Sequence, residues 1–425
     1  MYKTIREGIK SILIRPIFKE LSWYTFAQVF IQGASFLSVI IVSRYLGPTN
    51  LGVYSFVINY VGAFLTVIGG MDFYFTWELA KSENQQEDLK EYIGHKFNVY
   101  VILSVLGLVS AWYILPKDVA IMVSIMLVTV CLQSLNAFFI YAVVKNKAKL
   151  VAVVQMSSAW LLLIVKISLV LLKAPLVWFV AVSSVDLILS GIIFATYFLM
   201  MPEWRKSLSS FRLPTFASSF AFLFSIRLSI ASLVFWQLLL RVDQLILATI
   251  SNAYNLGIYS AAVKISDVPN FLAGILSMAL TSRISNISQQ NTIESRKNLK
   301  RIMLYYTGVG VIISAVFLVF APLAVHILYG SRFIESVPVL RAYSLSIPGM
   351  FLISFFTSMY GARDRYHHQV AIFSVALIVN VLLVYALTPL YGLAGTASAT
   401  VIAYTFAALL FYINLEIREK NNENI

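Results

Sequence analysis

The sequence predicts an all-α polytopic membrane protein. Twelve transmembrane helices are expected as two six-helix lobes related by a pseudo-twofold along the membrane normal. Three observations predict this. Hydrophobic residues make up 60% of the 425 residues and charged residues 12%, against roughly 25% charged in soluble domains. Twelve apolar segments follow one another with short polar breaks. One phrase occurs twice, as NLGVYS at 50–55 and as NLGIYS at 255–260.

Composition fixes the class first. A mean hydropathy of +0.83 leaves more apolar surface than a soluble fold can hide. The apolar segments run over about 21–43, 52–79, 97–115, 119–142, 150–172, 176–201, 217–250, 257–281, 301–329, 337–361, 367–388 and 392–415. GPTN, LPKD, KNKAK, KAP, PEWRKS and YGSR punctuate them. The seventh is too long. Its 34 residues would span about 51 Å against a hydrocarbon core of about 30 Å. It is expected to tilt, kink or begin as an interfacial stretch around FASSFAF.

Orientation follows from Lys and Arg near the segment ends. With the N-terminus inside, the inner connectors and tails carry 23 of the 32 basic residues and the outer ones 5. Both termini are therefore expected in the cytoplasm. The net charge of +13 reflects this rule and attraction to anionic lipid, with no need of a nucleic acid partner. The start, MYKTIREGIKSILIRPIFKE, is basic and interrupted, without the apolar run of a cleavable signal.

The repeated phrase organises the chain. Each copy follows an odd-numbered segment, the first and the seventh. LSVIIVSRYLGPTNLGVYS aligns without gaps on VDQLILATISNAYNLGIYS. A weaker echo, YAVVKNKAKLVAVVQ and YGARDRYHHQVAIFS, follows the fourth and tenth. A chance match of helix-start phrases is the alternative, but equivalent placement among twelve segments favours a duplicated half. Six helices per half make the repeat parallel. The expected lobes are 1–205, led by a basic interfacial segment 1–20, and 206–425.

Other chemistries find no support. Cys131 has no disulfide partner, and His95, His326, His367 and His368 lack metal-ligand spacing. Solvation at the membrane edge accounts for His367 and His368. No Gly-rich nucleotide loop occurs. The outer connectors hold no triad or carboxylate pair, so no enzyme and no cofactor is expected.

Charges inside the segments point to function. Lys166, Asp186, Arg227, Arg241, Asp243, Lys264 and Asp267 lie within them. Each would cost roughly 2.5–3.5 kcal/mol facing lipid, so they must face protein or water. In one continuous helix Arg227 and Arg241, 14 residues apart, share a face with Gln237 and Gln244, while Asp243 points away. Lys264 and Asp267 stand at pairing distance on the face of Ser260 and Phe271. Gln155 shares a face with Lys166, as Asp186 does with Ser183 and Ser190. Gln28, Gln32 and Ser35 form a polar stripe on the first segment, and Ser55, Asn59 and Thr66 another on the second. These stripes suit a water-filled cavity. Arg227, Arg241, Lys166, Lys264, Gln237 and Gln244 are its candidate substrate contacts, because an arginine fork suits phosphate. Structural readings stand beside these: Lys264 and Asp267 neutralising each other, Asp243 tying its helix to a neighbour, Lys166 snorkelling.

SRYLGPTNLGVYSFV (43–57), GGMDFYFTWELA (69–80) and RVDQLILATISNAYNLGIYSAAVKISD (241–267) carry a family likeness. The chain resembles the Wzx-type flippases of the multidrug/oligosaccharidyl-lipid/polysaccharide exporter superfamily over essentially its whole length. It departs from them at Trp77-Glu78, where relatives often carry Arg and a small residue, and at TSRIS (281–285), where many carry Pro. The resemblance implies movement of undecaprenyl-diphosphate-linked oligosaccharide repeat units, such as those of O-antigen in lipopolysaccharide biosynthesis, across the bacterial inner membrane. It implies lipid-linked glycan and membrane lipids as partners, with a polysaccharide polymerase and chain-length proteins downstream. Proton or sodium coupling would have Asp186 and Asp267 as its candidates. Alternatives are a drug antiporter of the same fold, a murein-precursor flippase, expected to have fourteen helices, and a polymerase- or ligase-type membrane enzyme.

Overall fold

The computed structural model describes residues 16–202, 204, 212–269, 272–274, 276, 277, 280, 293–361, 363 and 365–423. Every regular element among them is helical. Among the described residues, seven helices are long and apolar enough to cross a membrane, or up to nine if each of two bent pairs is one span.

The two longest helices each account for two of the expected segments. Helix α1 (Pro16–Lys81) has 66 residues, about 99 Å of helix against a core of about 30 Å. It breaks at Gly47, whose φ of 69° lies in the left-handed region. Glycine has no Cβ to oppose that conformation, and Pro48 restarts the helix where no N–H is needed. The last helix is 58 residues long and breaks in the same way at Gly392, with φ 59°. Between them lie α2 (Gln85–Ile114), α3 (Lys117–Val130) and α4 (Ala137–Val144), the last two joined by a 3-10 turn at Cys131–Asn136. Then come α5 (Ala148–Leu171) and α6 (Leu176–Leu199).

Of the alternatives open to the overlong seventh segment, the chain breaks, into α7 (Phe216–Ser225), α8 (Arg227–Leu239) and α9 (Val242–Ile250). The FASSFAF stretch is the separate helix α7, capped by the Thr215 hydroxyl accepting from Ser218 N–H. Helix α10 (Ala253–Ser266) is capped by Asn252. It is followed by α11 (Ile293–Tyr329), α12 (Ser336–Ser344), α13 (Ile347–Gly361) and α14 (Tyr366–Glu423). Helices α12 and α13 are bent by 43° at their junction.

The chain forms two compact units. The first is Met1–Tyr45 with Val67–Arg227, and the second is Leu46–Thr66 with Leu228–Ile425. The division does not follow a single cut at 205/206, because residues 46–66 cluster with the second unit. In the first unit Trp204 packs edge-on against Phe138 and Tyr141. Helix α7 docks on α2: Asn98 donates to Pro214 O and to Ser219 Oγ, and the His95 ring stacks on Phe222. In the second unit Phe351, Phe356, Phe373, Tyr404 and Phe411 form the centre of a buried aromatic core.

The repeated phrase acquires its physical reason here. Gly52 and Gly257, the glycines of the two NLG copies, face each other in the second unit. A Cβ on Gly52 would overlap Ala253 O and lie 2.9 Å from Gly257 N. A Cβ on Gly257 would overlap Pro48 O and lie 3.0 Å from Gly52 N. The contact is reciprocal, each glycine meeting the residue four before the other. Two helix backbones touch, and only hydrogen fits at either position.

Candidate functional site

Arg227 and Arg241 do not stand on one continuous helix, the premise of their expected shared face. A count of 100° per residue holds only within one helix, and here α8 ends at Leu239. Arg241 (φ −131°, ψ −9°) caps the start of α9. Gln237 is exposed on α8 while Gln244 is buried on α9, so these two also belong to no single stripe. Arg227 falls in the first unit and Arg241 in the second. Arg227 is exposed. Its Nη1 donates to Phe224 O at 2.8 Å, and the guanidinium lies 4.3 Å from the Phe224 ring centre.

Arg241 is not left without a counter-charge. Its Nη1 donates to Asp267 Oδ2 at 2.9 Å. The partner comes from α10's end rather than from its own helix. The Arg241 side chain stays 37% exposed. One of its five N–H groups is engaged among the described residues, which leaves the rest of the fork available.

Beside it, Gln244 Oε1 accepts from Asn59 Nδ2 at 3.0 Å and from Ser260 Oγ at 3.1 Å. Its Nε2 is buried with no partner among the described residues. Asn59, Gln244 and Ser260 thus come together from α1, α9 and α10. Asp243 is wholly buried. It accepts from Tyr259 OH at 2.6 Å, Thr400 Oγ1 at 3.1 Å and Gln244 N–H at 2.7 Å. Three donors on a desolvated carboxylate make it a structural tie. Lys264 is half-buried on α10 and makes polar or ring interactions of its own.

In the first unit, buried Lys166 on α5 meets Asp186 on α6 at 3.6 Å. The Asp186 side chain is 49% exposed. A second pair lies outside the seven intramembrane charges. Asp72 Oδ1 accepts from Lys96 Nζ and from Tyr92 OH, both at 2.6 Å. Lys96 is fully buried, although its sequence position marks it as a connector charge. Asp72 stands well inside segment 52–79, and that placement is the signal that identifies it. It lines a cavity of about 310 Å³ with Thr76, Asn136, Gln155 and Ser190.

Gln28, Gln32 and Ser35 are exposed, and Thr66 bonds its own helix at Ala63 O. At the Trp77-Glu78 departure, Lys81 Nζ lies 3.1 Å from the Trp77 ring centre, so a cation sits there after all. Phe271, the TSRIS stretch and residues 1–15 of the basic start lie outside the described residues. Among the described residues no cluster of three or more His, Cys, Asp or Glu could hold a metal ion.

A family model described as polysaccharide biosynthesis protein matches residues 17–288. Among solved structures the chain is similar to the lipid II flippase MurJ in an inward closed conformation. The identity is 16% and the TM-score 0.73, over 93% of this chain and 88% of the other. It is also similar to an inward-facing multidrug resistance MATE family transporter of the MOP superfamily, at 12% identity and a TM-score of 0.76, over 92% and 95% of the two chains. A eukaryotic MATE transporter gives 14% and 0.62, over 93% and 95%. No curated protein matches in sequence. The likenesses show an all-helical, multi-pass membrane fold of twelve helices in two lobes, a fold of transporters and flippases.

Proposed function

From a chain that belongs to the polysaccharide biosynthesis protein family, within the MOP superfamily, we propose a flippase for undecaprenyl-diphosphate-linked oligosaccharide repeat units. It would carry them from the cytoplasmic to the periplasmic leaflet of a bacterial inner membrane, with both termini cytoplasmic. Lobes of residues 1–205 and 206–425 would alternate access, and a polymerase and chain-length proteins would act on the product. The observation that carries this reading is Arg241. It lies within the apolar length of the chain, its side chain is 37% exposed, and one of its N–H groups is engaged among the described residues. The free edge of the fork suits a diphosphate, whose passage through bare hydrocarbon is costly. Arg227, Lys166, Lys264, Gln237 and Gln244 are proposed to line the same route. The polyprenyl tail can trail in lipid.

Asp267 and Asp186 gain a role from their pairing. Each carboxylate holds a basic group, so proton or sodium binding there would release Arg241 or Lys166 toward substrate. Asp267→Asn and Asp186→Asn are expected to abolish dependence of transport on an ion gradient while folded yield holds. Unchanged gradient dependence in both variants removes the coupling role.

Deletion of the gene should trap lipid-linked glycan on the cytoplasmic leaflet, and this chain should restore export. Arg241→Gln should lower export by about tenfold or more, as loss of a charge-assisted bond of roughly 1.5–3 kcal/mol requires. Arg241→Lys should rescue in part, keeping the charge and losing the fork. The MATE-like fold favours a drug antiporter as the second reading. That reading predicts altered drug susceptibility on deletion with no trapped glycan.

A further inference from the structure

We propose that the cavity in the first unit binds a sugar ring of the glycan, a subsite separate from the arginine assigned to the diphosphate. This rests on the flippase reading. The cavity lies among residues 72–76 of α1, the 3-10 turn with α4, α5 and α6, its lining residues all in the first unit, and holds about 310 Å³. That is the lower end of the usual range for small-ligand sites, roughly 300–1,000 Å³. It has room for one ring rather than a chain.

The lining has the chemistry of a neutral polyol site. Carboxylate, amide and hydroxyl groups converge from Asp72, Asn136, Gln155, Thr76 and Ser190, in helices that are otherwise apolar. Two of them are not used up. Asp72 Oδ1 takes both Lys96 and Tyr92, and Oδ2 has no hydrogen-bond partner among the described residues. The Gln155 amide, half-exposed, has none either. A fixed carboxylate oxygen and a free amide accept from, and donate to, adjacent hydroxyls. Phe73 and Phe139 add flat apolar surface to the same wall, and Phe73 is exposed. A pyranose presents hydroxyls at its edge and C–H groups on its face, so it matches both.

Charge excludes the other small ligands. None of the described lining residues is basic, so the one charge among them that a phosphate would meet is a carboxylate. The Asp72 charge is already answered by Lys96 Nζ at 2.6 Å, which disfavours a metal cation or a cationic drug. What remains is a polar, charge-balanced chamber.

The test is binding by the full chain in lipid nanodiscs to two probes. One is the undecaprenyl-diphosphate glycan extracted from cells lacking the flippase, and the other is sugar-free undecaprenyl diphosphate. Gln155→Leu and Phe73→Leu, on different helices, are each expected to weaken glycan-lipid binding by about tenfold. Both should leave sugar-free lipid binding within about twofold of the parent. Gln155 holds no hydrogen-bond partner among the described residues whose loss would unfold the protein, and Phe73→Leu keeps an apolar side chain. Unchanged glycan-lipid binding in both variants, or equal losses for the two lipids, overturns the subsite while leaving the flippase reading intact. A parent protein that binds neither lipid overturns the flippase reading and the subsite together.

Discussion

Alanine at Gly52 or at Gly257 is expected to collapse the yield of folded protein. Each Cβ would fall on a backbone carbonyl, Ala253 O or Pro48 O, and a backbone cannot rotate aside as a side chain can. Overpacking of a core typically costs about 1–3 kcal/mol, and rigid neighbours place this contact at or above the top of that range. Folding free energies are about 5–15 kcal/mol, so either change removes a large share. The two effects should not add, because both substitutions break one contact. Gly33 and Gly62 are the controls. A Cβ at either meets nothing within 4 Å, so alanine there should be neutral or stabilise by up to about 1 kcal/mol through helix propensity. The midpoint of thermal unfolding in detergent measures all four. A Gly52→Ala protein as stable as Gly62→Ala would contradict the backbone crossing.

Asp243→Ala carries the second large effect. Removing the carboxylate leaves Tyr259 OH, Thr400 Oγ1 and Gln244 N–H without their acceptor in a site with no solvent access. Each stranded donor costs about 1–3 kcal/mol, so the total reaches several kcal/mol. Asp243→Asn keeps one acceptor oxygen and turns an amide N–H₂ toward the remaining donors, so its loss should be intermediate. Unfolding midpoints ordered parent, Asn, Ala are expected, with glycan export per folded molecule less affected than yield. An Ala variant that folds at parent yield but has lost export would make Asp243 part of the transport path instead.

The sequence exposed the membrane class, the segments and the duplicated phrase, because hydropathy and a repeated string are local properties. The length argument left a tilt, a kink or an interfacial start open for the seventh segment, and it did not locate the breaks at Ile226 and Leu240. Those sites depend on which neighbours each piece packs against. The pairings were less legible for the same reason. Arg241 finds Asp267 on another helix, 26 residues on, and a count along one helix cannot see across to a second. Lys96 reads as a connector charge, yet it is buried on Asp72 because α2 begins twelve residues before its apolar run. The three donors that Asp243 gathers come from its own helix and from two others, so no single-helix count could find them. The reason for the two NLG glycines became visible only when the two copies met.

The most direct measurement of the central claim is leaflet exchange by the purified chain alone. Proteoliposomes loaded with the extracted undecaprenyl-diphosphate glycan are treated with a membrane-impermeant glycan-oxidising reagent. With only the outer leaflet accessible, protein-free vesicles should react to about half. Vesicles carrying the chain should react almost completely, and those carrying Arg241→Gln should stay near the protein-free level. If the parent chain leaves the inner-leaflet glycan protected under an imposed ion gradient of either sign, the flippase account is contradicted.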